Sequence, residues 1–217
     1  MQYVNRQYPP TPDEKRKRAA EDAQRDAELK LKNNRLGVTI FQISWIMVFV
    51  CMLVIYWWMG YQPNWRPTPA QAPNAILPTI ATIALVVSGW FARRGLKTIE
   101  ATDPDAPADA KRAFLRPWRI AIGLGTLFLL IMTGAYIAVP ANNAEAQFGY
   151  IYRLMIGYHA LHALVIGYMM IRIDQLSHDG RYHAENSWPV EGATKLWYFV
   201  VVAWLMFYPV LYLPYLT

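Results

Sequence analysis

Residues 148–173, FGYIYRLMIGYHALHALVIGYMMIRI, decide the fold. A helix crosses a bilayer with about 20 mainly apolar residues, and this stretch exceeds that length with Arg153 as its only charge before Arg172. His159 and His162 stand three residues apart, so a helix sets them side by side on one face, among Gly157, Ala160, Ala163 and Gly167. Small residues let another helix approach closely, and polar groups at membrane depth turn toward protein, because an unpartnered one in hydrocarbon costs several kcal/mol. The stretch is therefore expected inside a helical bundle. Arg153, one turn from its start, is expected near an interface that its long side chain can reach by snorkelling. The histidine pair admits two readings: part of a metal or haem site, or two neutral imidazoles hydrogen-bonded to neighbouring helices, lipid headgroups or water. A lone pair on one helix falls short of the ligand count of a metal site, and the second reading is preferred.

Working outward, 55% of the 217 residues are hydrophobic and 14% aromatic, above the average for globular chains. The excess falls in five blocks, 37–61, 75–92, 118–139, 148–173 and 196–216, each near or above a bilayer crossing in length. They predict an all-α integral membrane domain of five spans over 37–217, preceded by a charged tail over 1–36. The second block is short and has Pro78 near its start, but proline is tolerated in a helix's first turn, where its missing N–H had no partner. The first block ends in an aromatic belt, Tyr56, Trp57, Trp58, Tyr61 and Trp65. Its lone Cys51 has no partner within the chain and leaves the redox compartment open. The tail contains no apolar run with a cleavage site, so the first span is expected to act as the insertion signal.

Within the tail, Thr11, Pro12 and Glu14 make a helix start with a capping box. Glu14/Arg18, Glu21/Arg25, Asp26/Lys30 and Glu28/Lys32 then pair acid before base at four-residue spacing. Without a broad apolar stripe, a solvated charged helix is preferred over a nucleic-acid or docking role. Nine Lys and Arg lie in the tail, seven between Arg93 and Arg119 and three after the fourth span, against Arg66 and Arg153 on the other side. The positive-inside rule then places the amino terminus in the cytoplasm and, after five crossings, the carboxyl terminus outside. The net charge of +6 reflects this topology, and no nucleic-acid partner is invoked.

No Asp or Glu falls within the five blocks, so the chain is a poor candidate for a proton wire. No nucleophile with a base, glycine-rich phosphate loop or metal-spaced cluster is present, and no catalytic residue is assigned. His178, His183, Glu185 and Glu191 in the polar segment 174–194 fit no familiar metal spacing and are read as solvated loop residues. A b-haem membrane anchor is the competing class. It needs ligands from two faces, whereas His159 and His162 share a helix, leaving Met52, Met132 or Met206 as second ligand.

Two motifs carry a resemblance. Gly157-Tyr158-His159-Ala160-Leu161-His162 is similar to the Gly-Phe-His-Gly-Leu-His signature of subunit III of haem-copper cytochrome oxidases, and Phe148-Gly149 falls where that family often has Tyr-Gly. Residues 197–204, WYFVVVAW, resemble the family's Trp-His-Phe-Val-Asp-Val-Val-Trp, with Tyr198 in place of histidine and Val201 in place of aspartate. The first span, around Ser44 and Trp45, lacks the family's usual buried carboxylate. The resemblance implies the short five-span bacterial form of subunit III, in the bacterial inner membrane, with its spans in a V-shaped bundle of two plus three helices that holds phospholipid in the cleft. It implies an accessory subunit lying against catalytic subunit I, with haem and copper in the partner subunits and no redox centre in this chain. His159, His162, Arg153, Trp197, Tyr198 and Trp204 are then structural or lipid-contacting residues. The alternative is a scaffold subunit of another respiratory or photosynthetic membrane complex.

Overall fold

The computed structural model describes residues 11–63, 65, 73–139 and 148–215. Residues 1–10, the linker around Arg66 and the loop 140–147, with Pro140, lie outside the described residues. Among the described residues six α-helices follow in order: α1 (Pro12–Met59), α2 (Ile76–Glu100), the short α3 (Ala108–Arg112), α4 (Leu115–Ala138), α5 (Phe148–Leu176) and α6 (Trp188–Tyr212). Among the described residues, five helical segments are long and apolar enough to cross a membrane, α3 being continuous with α4 in this respect. The chain is an all-α multi-pass membrane protein.

Contacts divide the chain after Ile40. In the first unit, the Glu14 carboxylate accepts the Thr11 backbone N–H at 2.8 Å and the Thr11 hydroxyl accepts that of Glu14 at 3.3 Å. This reciprocal capping box satisfies two donors that the first turn of α1 leaves without helical partners. No residue from 11 to 40 is buried within the protein.

In the second unit, α2 and α4 make the most extensive contact, and α4 also packs on α5, α5 on α6 and α6 back on α2. The seams follow from sequence. Along α2, Ala81, Leu85, Ser88, Ala92, Gly95 and Ile99 are buried at alternating three- and four-residue steps. Most are small, so the backbone of α4 comes close, as membrane helices require when dispersion rather than water exclusion holds them. The α4 seam, Leu115, Trp118, Ala121, Gly125, Phe128 and Met132, supplies the volume. The membrane part of α1 buries only Phe49 and Met52 and attaches through its aromatic side chains. α2, α4, α5 and α6 thus form a closed set of neighbours, to which α1 adds.

α2 and α6 overrun their apolar blocks at the basic end. α2 starts at Ile76, where the Asn74 side chain accepts the first N–H at 2.9 Å, and continues past residue 92 to Glu100. α6 starts at Trp188, with Pro189 in its first turn, so Glu191 and Lys195 belong to the helix and not to the preceding loop. Apolarity marks what a bilayer accepts, whereas a helix ends where its backbone bonding ends. At this basic end the connections clasp one another. The Ala184 N–H donates to the Thr102 carbonyl at 3.0 Å, and Arg112 donates to the His178 carbonyl. Gly180, with φ of 64° against Lys111 and Ala108, makes a left-handed turn that a side chain would strain.

Candidate functional site

His159 sits at the centre of the second unit, 1% exposed. Its Nε2 lies 2.9 Å from the Val200 carbonyl of α6. A carbonyl only accepts, so Nε2 carries the proton and the imidazole is a cross-helix donor. Rings surround it: Phe128 of α4, Trp204 of α6 and Phe49 of α1, with centroids at 5.6, 5.1 and 6.2 Å. His162, one turn on, turns Nδ1 to the Tyr158 carbonyl of its own helix at 2.6 Å. Its ring stands nearly perpendicular to that of Trp45, with centroids 4.0 Å apart, and those of Tyr158 and Phe49 lie at 4.3 and 5.4 Å. The face that His159 and His162 share is therefore an aromatic cage in which both imidazoles donate to backbone oxygen. Among the described residues, no three His, Cys, Asp or Glu side chains come together to hold a metal ion.

The two motif tryptophans are locks. Trp197 Nε1 donates to Ser88 Oγ at 2.8 Å, and that hydroxyl donates onward to the Ala121 carbonyl at 2.7 Å, tying α6 to α2 and α4. The indole lies over Gly125, where an added Cβ would stand 2.5 Å from Trp197 Cζ2. Trp204 Nε1 donates to Thr82 Oγ1 at 2.8 Å, and Thr82 donates to the Pro78 carbonyl at 2.7 Å. Trp118, which the motifs do not include, completes the set by donating from α4 to the Met170 carbonyl of α5 at 3.0 Å. Each lock satisfies a buried polar group that would otherwise cost about 1–3 kcal/mol.

Arg153 donates from Nε to the Val139 carbonyl, 2.8 Å away at the end of α4, and lies 5.2 Å over the Tyr136 ring. A cation there meets carbonyls that lack helical partners and carry partial negative charge. Tyr198 is half-buried beside Gly89 of α2. Glu191, expected in a solvated loop, is instead buried in the first turn of α6 and pairs with Lys195 at 2.7 Å. The Gln42 side chain of α1 donates to the Lys195 carbonyl at 2.9 Å. In the connection before α6, His178 and Glu185 are exposed, while the Nδ1 atom of His183 is buried with no hydrogen-bond partner among the described residues. Burial beneath the same connection pushes the Tyr182 phenol up, against the opposing pull of Arg181.

This frame, with its histidine helix between tryptophan-locked neighbours, is matched by the family model for cytochrome c oxidase subunit III over residues 24–215. The chain belongs to the cytochrome c oxidase subunit III family. It is similar to the cytochrome c oxidase subunit 3 of Thermostichus vulcanus, 26% identical over 181 residues that cover 82% of this chain and 86% of the relative. The corresponding Synechocystis protein is 24% identical over 181 residues, covering 82% and 74%. That of the earthworm Lumbricus terrestris is 24% identical over 188 residues, covering 82% and 69%. In this subunit III relative, the quoted motifs place His159, Trp197 and Trp204 in one packed centre. Arg153 lies apart from them, at the end of α4. Ser88 and Thr82, the acceptors of the two tryptophans, carry no motif; their signal was their place among small residues at seam spacing along α2.

Proposed function

We propose that this chain is the accessory, non-redox subunit III of a respiratory haem-copper terminal oxidase, lying against the catalytic subunit and stabilising it while oxygen is reduced. The observation that carries the reading is the family match over residues 24–215. His159 supports it, because its Nε2 is committed to the Val200 carbonyl and its ring faces are covered by aromatic side chains. Such an imidazole ties α5 to α6, and its protonated Nε2 has no lone pair to offer an iron. Haem and copper then belong to the partner subunits, and phospholipid to the surface of this one. By the distribution of Lys and Arg, the amino terminus faces the cytoplasm and the carboxyl terminus the outer side of a bacterial inner membrane.

His159, His162, Trp197 and Trp204 are assigned packing roles, Tyr198 a place in the α2–α6 contact and Arg153 the end of α4. The test is purification through an amino-terminal tag in mild detergent, followed by a reduced-minus-oxidised spectrum and identification of the copurifying chains. A catalytic oxidase subunit with a-type or o-type haem bands is expected. Copurification with an oxidase-free complex would overturn the assignment in favour of a scaffold role elsewhere. A b-type band retained by the isolated chain and lost on replacing His159 and His162 together with Leu would overturn the packing roles.

A further inference from the structure

Two tyrosines meet where α5 begins and α6 ends, opposite the basic connections. Tyr152 and Tyr212 are fully buried, and their hydroxyl oxygens lie 2.6 Å apart. Each hydroxyl brings one proton, and the bond between them uses only one of the two. Neither hydroxyl has a further partner among the described residues. One buried O–H is therefore left without an acceptor, which is costly unless something supplies one. Tyr152 is also a wall of a cavity of about 250 Å3 between the start of α2 and the end of α4. Both protons are satisfied when Tyr212 donates to Tyr152 and Tyr152 donates to a molecule in that cavity.

A second spare donor lies on the same cavity. Asn74, exposed at its rim, uses Oδ1 to accept the Ile76 N–H at 2.9 Å. That bond fixes the amide so that Nδ2 is the other branch, and Nδ2 has no acceptor among the described residues. The remaining walls are mainly apolar, with Leu77 and Pro78 from α2 and Leu130 and Gly134 from α4. Leu77 and Leu130 are exposed on the outer surface, so the cavity opens sideways toward lipid. It has room for several waters, and each would need about two to four polar partners, more than two donors on an apolar wall supply. The fitting occupant is apolar in body and accepts hydrogen bonds at two places.

We propose that this cavity binds the ring of a lipid-soluble quinone, one carbonyl accepting the Tyr152 hydroxyl proton and the other an Asn74 amide N–H. A quinone ring has apolar faces and carbonyl oxygens at opposite ends, and its tail leaves past Leu77 and Leu130 into the bilayer. An acyl chain matches the apolar walls but leaves both donors unpaired. The assignment is of binding alone, and no electron transfer is assigned to the site. It goes beyond the accessory-subunit reading and uses only the placement of these spans in a bilayer.

The full chain, in the complex with which it copurifies, is illuminated in mild detergent with an azido-ubiquinone carrying a decyl tail, and labelled peptides are identified by mass spectrometry. Label is expected on the peptides that hold Leu77 and Leu130, displaced by decylubiquinone but not by decylbenzene or dioleoyl phosphatidylcholine. Gly134→Leu is expected to remove it. An added Cβ at Gly134 meets nothing within 4 Å, so the new side chain enters open space and not a packed neighbour. Tyr152→Phe is expected to weaken displacement by decylubiquinone about three- to tenfold, the share of one hydrogen bond. Tyr212→Phe leaves the Tyr152 hydroxyl in place and is expected to stay close to wild type, which a merely structural role for the pair would not allow. Equal label in Gly134→Leu and wild type, or label confined to other peptides, would overturn the site. So would decylbenzene or the phosphatidylcholine displacing as well as decylubiquinone, or an unchanged affinity in Tyr152→Phe. If Tyr152→Phe fails to assemble, Gly134→Leu and the competitors decide. The readout is label on this chain's own peptides and not copurifying protein, so its failure is separate from failure of the oxidase reading.

Discussion

The membrane part of α1 and the whole of α2 are both spans, yet they are held in opposite ways. α1 is strongly apolar along residues 37–59, and most of its large side chains, such as Ile43, Val54, Trp57 and Trp58, face outward. α2 is the span whose block read weakest, being short with Pro78 near its start, and ten of its residues are buried. The difference teaches that hydrophobicity moves a helix into a bilayer and does little to hold it against another helix there, since lipid tails are as apolar as leucine. What holds α2 is close approach along Ala81, Ser88, Ala92 and Gly95, together with the indole donors that end on Ser88 and Thr82. What holds α1 is a few aromatic anchors, Trp45 and Phe49 on the histidine cage and Tyr56 donating to the Val210 carbonyl at 3.1 Å.

The comparison breaks most visibly at the centre of the packed set. Gly125→Leu forces Trp197 from its seat, so the Ser88 and Ala121 bonds are lost with it; overpacking of about 1–3 kcal/mol adds to about 1–3 kcal/mol of unsatisfied polar groups. Little folded protein is expected in detergent, as read by gel filtration and near-UV circular dichroism. Phe49→Ala is expected to cost about 2–3 kcal/mol, near the low end of aromatic truncations, and to act locally. Proteolysis of α1 and exchange of its amides should rise while α2 and α4 stay protected; uniform loosening of all five spans would dissolve the distinction. Ser88→Ala removes the Trp197 acceptor, with an expected loss of about 1–2 kcal/mol in unfolding free energy, read from denaturant titration. Ser88→Thr, which keeps a hydroxyl, should recover part of it. Val54→Ala, on the lipid face of α1, should shift stability by less than about 0.5 kcal/mol, and a larger loss would show that this face is covered by protein.

Much of the fold was legible because membrane insertion depends on local composition. The five spans and the capping box at Thr11 follow from residues adjacent in sequence. The ends of α2 and α6 were not, because charged residues such as Arg93, Arg94 and Glu191 continue a helix as readily as apolar ones once its backbone bonds are running. At the candidate site, a shared face for His159 and His162 could be read from their spacing. Their donation to Val200 and Tyr158 carbonyls could not, because it depends on which helix stands opposite and on the turn each imidazole takes.

The sequence by itself determined that this chain is an all-α membrane protein with five spans and a basic side, and its motifs indicated the family. Those properties are sums over neighbouring residues, and a bilayer reads them segment by segment. Only the tertiary structure decided that α2 and not α1 anchors the set, that Glu191 is buried, and that the motif tryptophans end on Ser88 and Thr82. Pairings between distant segments depend on the fit of one helix surface to another, where a single Cβ at Gly125 would separate helices whose compositions had hardly changed.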